Sequence, residues 1–210
     1  MAIEKQTQHP SLSIVMAVHD QAMALEDNLP KFLTLPYEGN YEVIVVDDMS
    51  IDDTPDVLKR MKAQYPNLYT TFLPKSVIIN PSRLRLALSV GVKAAHYNYI
   101  VLTNINKPPI NTEWLAGLAD GEASLVYSNR KGDGVAHIIA TQLEDLMSIV
   151  RKTERHSSRG HQGKWFKQRR GIYDALCVRR ERMYDAINLF DLPIRGSKLL
   201  SLRLRVWLGM

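Results

Sequence analysis

A single cysteine, Cys177, in 210 residues excludes an internal disulfide and cannot by itself make a cysteine-based zinc site. That scarcity fits a reducing compartment. Long apolar runs are also absent: nothing approaches the roughly 18 uninterrupted apolar residues that span a bilayer. The opening segment MAIEKQTQHPSLS lacks the charged, apolar, small-residue order of a secretory leader. The expectation is a cytoplasmic protein. Neither Gly-x-Gly-x-x-Gly nor the Walker pattern occurs, so the glycines build no phosphate loop of those kinds. His19, His96, His137, His156 and His161 show no metal-ligand spacing, and no Ser/His/Asp arrangement is readable from their order.

What is present is ordinary globular composition, 45% hydrophobic and 23% charged, enough for one good-sized core. The net charge of +5 is unevenly spread. Residues 1–120 carry 10 Lys or Arg against 13 Asp or Glu, and the remainder carries 17 against 9. A one-sided positive field suits an anionic partner such as phosphate, nucleic acid or an acidic membrane face, without choosing between them.

Leu12 to Val18 is a short apolar run rich in β-branched residues and ends at His19-Asp20, the mark of a buried strand. From Gln21 to Leu35 the residues Leu25, Leu29, Phe32 and Leu33 recur at helical spacing, with Pro36 as the stop. Tyr41 to Val46 is a second strand that breaks into Asp47-Asp48. Asp52, Asp53 and Thr54 then offer helix caps ahead of Pro55. A strand near Leu68 to Leu73, a helix over Pro81 to Ala95 and a strand at Tyr99 to Thr103 continue the alternation. Alternation of this kind predicts parallel strands with helices on both faces, and ligands bound beyond the carboxyl ends of the strands. Further on, Ala123 to Tyr127 reads as a strand, and Ile139, Leu143, Leu146 and Val150 line one face of a helix. Residues 151–171 hold eight Lys or Arg together with Trp165-Phe166, and read as a basic loop.

The strings SIVMAVHD, VIVVDDMSIDDT (Val43 to Thr54) and ALSVGVKAAHYNYIVLTNIN (Ala87 to Asn106) resemble, in order and spacing, the core of family 2 glycosyltransferases of the GT-A fold. LPKFLTLPYEGNYEVIVVDD and YPNLYTTFLP are similar to a branch of that family common in bacterial surface-polysaccharide systems, and GIYDALCVRRERMYDAINLFD (Gly171 to Asp191) continues the likeness more weakly. The resemblance implies a single α/β domain with a mixed, mostly parallel sheet flanked by helices. Residues 1–120 would form its nucleotide-binding half and residues 121–210 its acceptor-side half. It implies a nucleotide or nucleotide-sugar site at Ala17, His19, Asp47, Asp48 and Asn104.

Sugar transfer from a nucleoside diphosphate needs a seat for base and ribose, neutralisation of the departing diphosphate, and a base for the acceptor hydroxyl. A carboxylate at a strand end accepts hydrogen bonds from an imide N–H or a ribose hydroxyl. The alternative is that Asp47 and Asp48 only cap the following helix, a role that Asp52 and Asp53 are placed to fill. The family's metal-holding Asp-x-Asp falls on Asn104 and Asn106, whose neutral amides suit a hard cation poorly. No cofactor is therefore expected beyond weak Mg²⁺ or Mn²⁺, and Asn104 also reads as part of a solvated turn before Pro108-Pro109. Arg83, Arg85, Lys107 and the basic loop are candidates to meet the diphosphate instead. The register of the catalytic aspartate falls on Ser197-Lys198, and a lysine of ordinary pKa takes no proton; a shifted register would bring in Asp185 or Asp191.

Two readings follow: a transferase that works without metal, and a relative with lost or reduced activity that serves as partner to another glycosyltransferase. A nucleic-acid-binding role has only charge behind it, and no specific nucleic-acid partner is expected. The basic loop and the terminal SKLLSLRLRVWLGM allow peripheral contact with the inner membrane, although the family packs the latter segment as a core helix.

Overall fold

The computed structural model describes residues 9–73, 83–109, 112–115, 123–128, 135–140, 175–182 and 187. Strand β1 (Leu12–Val18) is buried along its whole length, as its unbroken apolar run requires. Helix α1 (Ala22–Leu33) buries Leu25, Leu29, Phe32 and Leu33, one stripe at helical spacing. It ends at Leu33, three residues before Pro36, and carries Pro30 inside its last turn; the Thr34 N–H and hydroxyl both donate to the Pro30 carbonyl. Strand β2 (Tyr41–Asp47), helix α2 (Thr54–Gln64), strand β3 (Leu68–Phe72), helix α3 (Arg83–Ala94) and strand β4 (Tyr99–Thr103) follow in order. These elements match the predicted succession to within a few residues at each end.

Strands β5 (Ala123–Ser128), β6 (Val135–Ala140) and β7 (Ala175–Arg179) complete a sheet of order β3-β2-β1-β4-β7-β5-β6 among the described residues. Pairing is parallel for β1–β2, β1–β4 and β2–β3, and antiparallel for β4–β7, β5–β7 and β5–β6. The sheet is thus mixed, with five of its seven strands pointing one way. Ile139 lies in β6, which corrects the helix predicted through it; the partners that suggested that helix, Leu143, Leu146 and Val150, lie outside the described residues.

The alternation of side chains along β1 divides the core. Leu12, Ile14, Met16 and Val18 pack with Leu25, Leu29 and Phe32 of α1 and Val57, Leu58 and Met61 of α2. Val15 and Ala17 face the other way, with Ala87, Leu88 and Val92 of α3. Helices therefore cover both faces, each large buried side chain contributing about 2 kcal/mol of hydrophobic stabilisation. Gly91 lets α3 lie directly on the sheet: a Cβ there would stand 2.5 Å from Val15 Cγ1 and 3.0 Å from Val46 Cγ2. Because each crossover helix runs antiparallel to the strands it joins, the amino ends of α1, α2 and α3 all face the carboxyl edge of the sheet.

At the opposite edge Glu42 is 3% exposed and accepts three hydrogen bonds, from Ser13 Oγ at 2.6 Å, the His96 N–H at 2.7 Å and His96 Nδ1 at 2.7 Å. This knot joins β1, β2 and the turn into β4, and fixes the strand register from below.

Candidate functional site at the carboxyl edge

The loops that leave β1 and β2 are laced together. The Asp20 N–H donates to Ser50 Oγ at 2.9 Å, while Asp20 Oδ1 accepts the Ile51 N–H at 2.8 Å and the Asp52 N–H at 3.4 Å. Asp52 bridges two helix starts: its Oδ2 accepts the Ala22 N–H of α1 at 3.1 Å, and its Oδ1 accepts the Thr54 N–H of α2 at 3.0 Å. Thr54 Oγ1 in turn accepts the Gln21 N–H at 3.0 Å. One carboxylate thereby satisfies an exposed amide at each of two helix amino ends. Burial is the largest single effect on the Asp52 carboxyl and raises its pKa. Hydrogen bonds from the Thr54 hydroxyl and from backbone N–H groups together outweigh it, so the pKa is lowered. Asp53, expected to share this role, occupies the N-cap position of α2 without a capping hydrogen bond from its side chain.

Two residues at the turns hold positive φ, Asp20 at 50° and Met49 at 60°. Asp tolerates the left-handed region, whereas for Met it is a local strain of about 1–2 kcal/mol. The strain sits between Asp48 and Ser50, where the chain turns sharply off β2.

Asp47 is 8% exposed, and its Oδ1 accepts both the N–H and the hydroxyl of Ser50, at 3.1 and 2.5 Å. It serves the turn. Asp48 is 2% exposed and its carboxylate is paired with Arg83, the first residue of α3, through Nε at 2.8 Å to Oδ1 and 3.2 Å to Oδ2, and through a further bond from Nη2. Hydrogen bonding to Asp48 raises the guanidinium pKa above its ordinary value. Arg83, expected at a diphosphate, is thus the partner of the aspartate expected at the base. The Arg83 side chain is 17% exposed, so the pair meets solvent chiefly through the guanidinium. His19 Nδ1 lies 2.6 Å from the Asp48 carbonyl oxygen, a contact that requires the proton on Nδ1, and its Nε2 lies 3.4 Å from Asp20 Oδ2. Ala17, 4% exposed, forms the floor beside them.

On the far side of β1, β4 ends in a tight turn. Asn104 Oδ1 accepts the Asn106 N–H at 2.9 Å and the Asn104 carbonyl accepts the Lys107 N–H at 2.8 Å. Asn104 and Lys107 are half-buried and Asn106 is exposed. Since Leu102 pairs with Val15, this turn rises beside the end of β1. Arg85 is half-buried on α3, two residues beyond Arg83. Ser197, Lys198, Asp185, Asp191 and residues 151–171 lie outside the described residues.

Among the described residues, the donor set at this edge does not fit a hard divalent cation. Asn104 and Asn106 bring no charge, and one Asn104 oxygen lone pair is already spent on its own turn. The carboxylates of Asp20, Asp47, Asp48 and Asp52 all accept hydrogen bonds from protein donors. Among the described residues no three His, Cys, Asp or Glu side chains converge as a metal site.

Residues 13–104 match the family whose description is Glycosyl transferase family 2. The match covers less than half of the chain. It runs from the second residue of β1 to Asn104, the first residue of the turn after β4. Among solved structures, the mannosyltransferase PcManGT from Pyrobaculum calidifontis, in complex with GDP-Man and Mn²⁺, is similar over 67% of this chain and 47% of its own, with 20% identity and a TM-score of 0.51. The TarS fragment 1–349 from S. aureus, in complex with UDP, is similar over 52% of this chain and 31% of its own, with 20% identity and a TM-score of 0.44. The chain spans about half the length of the first of these and less of the second. No curated protein matches it. The likeness to PcManGT shows a GT-A fold, in agreement with the resemblance read from the strand-end motifs.

Proposed function

We propose that this chain binds a nucleoside diphosphate or its sugar conjugate at the carboxyl edge, with lost or reduced transfer activity, and that it serves in the synthesis of a bacterial glycan. The observation that carries the reading is the Asp48–Arg83 pair, which sets a hydrogen-bond acceptor beside a donor at the end of β2. A nucleobase, which presents a donor next to an acceptor on its edge, complements that couple: its N–H or amine can donate to the carboxylate while its carbonyl or ring nitrogen accepts from the guanidinium. Reaching the carboxylate requires the guanidinium to turn partly aside, a rearrangement confined to one side chain.

The GDP-Man in the complex of the similar PcManGT lends support to a nucleotide ligand. Reduced catalysis follows from Lys198 in the register of the catalytic aspartate, since an ammonium group is no general base. A catalytically silent chain would act beside another glycosyltransferase. No helix among the described residues is long and apolar enough to cross a membrane, and contact with a membrane surface would fall to the basic segment 151–171. Calorimetric titration with UDP, GDP, CDP and ADP tests the nucleotide reading. The expected result is saturable binding of at least one of the four; binding of none would refute it.

A further inference from the structure

The carboxyl edge has an electrostatic problem that its own residues answer. A diphosphate carries two or more negative charges, and a site that holds it must supply positive charge from a cation or from side chains. Resting on the nucleotide reading above, we infer that this chain holds the diphosphate without a divalent cation, and that Lys107 supplies the charge at the end of β4.

Two structural features argue against the cation and one argues for the lysine. First, the turn after β4 is built from amides. Asn104 Oδ1 is committed to the Asn106 N–H at 2.9 Å, an internal bond that holds the turn shut whether or not a ligand is near. Turning that oxygen toward a cation would forfeit the bond and offer only a neutral donor in return. Second, the aspartates that could compensate are occupied. Asp47 Oδ1 serves Ser50, Asp48 serves Arg83, and Asp20 and Asp52 hold the two loops together. A cation drawn to any of them would compete with these protein donors for the same carboxylates. Third, the same turn that removes the acids carries a lysine into their neighbourhood. The Lys107 N–H closes onto the Asn104 carbonyl at 2.8 Å, so the residue is held at the mouth of β4, and Pro108 and Pro109 stiffen the chain behind it. Exchange of acidic ligands for amides with a lysine alongside changes the sign of the local field, and only an anion gains from that change.

The experiment is calorimetric titration of the full chain with UDP, GDP, uridine and guanosine, in EDTA and again in MnCl₂, on the wild type, Lys107→Gln and the double variant Asn104→Asp/Asn106→Asp. Electron paramagnetic resonance of Mn²⁺ gives a direct count of bound metal. The expected result for the wild type is diphosphate affinity equal within twofold in EDTA and Mn²⁺, with the Mn²⁺ spectrum that of the free ion. Lys107→Gln should weaken the diphosphates roughly tenfold and leave the nucleosides unchanged, the unchanged arm also showing that the variant is folded. The double variant should bind Mn²⁺ and acquire a metal-dependent gain for diphosphates; if it fails to fold, the wild-type arms still decide. A tenfold or greater gain from Mn²⁺ in the wild type overturns the inference while leaving the nucleotide reading intact, and unchanged diphosphate binding by Lys107→Gln overturns the part given to the lysine. Failure to bind any nucleotide or nucleoside in either buffer overturns both.

Discussion

Gly91 is the position where two opposing energies can be weighed from the structure. In a helix interior, glycine to alanine ordinarily stabilises by about 0.8–1 kcal/mol, because alanine loses less backbone entropy. Here the new methyl would meet Val15 Cγ1 at 2.5 Å and Val46 Cγ2 at 3.0 Å. Both valines are fully buried in the middle of the sheet and stiff about χ1, so neither side chain can turn away. Overpacking of this kind costs about 1–3 kcal/mol, and the short contact to a rigid neighbour argues for the upper end. The clash wins, and Gly91→Ala is expected to destabilise by about 2 kcal/mol net, a fall of roughly 4–8 °C in Tm for a chain of this size. The assay is denaturant or thermal unfolding of wild type, Gly91→Ala, Val15→Ala and the double variant. Val15→Ala alone removes two buried methyl carbons and costs about 2 kcal/mol. In the double variant the new methyl fills part of that space, so the two costs should fall short of their sum by at least about 1 kcal/mol. Gly91→Ala with unchanged or raised Tm, or strict additivity with Val15→Ala, would refute the packing argument. A helix pushed off the sheet also carries Arg83 away from Asp48, so the same variant should weaken nucleotide binding without touching the site.

Further expectations attach to single residues. Asp52→Ala uncaps two helix starts; with Asp52 largely exposed the loss is about 1 kcal/mol, and Asp52→Asn should lose less because it keeps one acceptor. Since the folded carboxyl pKa is lowered, its share of stability is complete above the ordinary carboxylate pKa and is lost as pH falls through the folded value. The stability difference between wild type and Asp52→Ala should therefore shrink below about pH 4, and an undiminished difference at pH 2 would contradict the sign. Met49→Gly relieves a positive φ and should raise stability by up to about 1 kcal/mol, read by urea unfolding, whereas a loss would mean that the Met side chain matters more than the backbone. Cys177 is fully buried, its thiol pushed up to about 12 by desolvation, so native protein should resist alkylation by iodoacetamide at pH 8 until denaturant is added. Prompt labelling of the native chain would contradict the placement of β7 between β4 and β5.

Legibility in the sequence followed the range of the interactions. The strands β1, β2 and β4 and the helices α1, α2 and α3 could be read because their signals are local: an unbroken β-branched run, or a stripe at helical spacing, reports its own burial. Strand β6 was missed because Ile139 lies in a short, almost wholly apolar run, Val135 to Ala140, and also falls at helical spacing with Leu143 and Leu146, and so short a run does not separate strand from helix. The place of β7 between β4 and β5 depends on antiparallel partners 49 to 80 residues away, and no local pattern encodes it. At the edge, the aspartates of the β2 turn were legible as important. The pairing of Asp48 with Arg83 was not, because the two stand 35 residues apart and each, read alone, suits a ligand. Its trace in the sequence is an arginine at the first turn of the helix that crosses back over an acidic strand end. The exchange of Asp-x-Asp for Asn104 and Asn106 was readable only against the resemblance; the structure adds that the Asn104 amide is engaged within its own turn.

The edge that reads as acidic is, in the folded chain, one whose acids are answered. Asp20 and Asp52 spend their charge on backbone amides that two helices and two loops would otherwise leave unpaired, Asp47 on the Ser50 turn, and Asp48 on Arg83. Each of these bonds tightens the loop geometry, so the carboxylates act as rivets and their charge is largely answered within the protein. That distinction decides what substitution can do. Neutralising Asp20 or Asp52 should loosen the loops and lower Tm, with ligand affinity falling only as the fold does. Neutralising Lys107 should lower affinity for anions by a larger factor than it lowers stability. Parallel losses of stability and affinity at both sets of residues would mean that the carboxyl edge is a single structural unit with no separable binding surface.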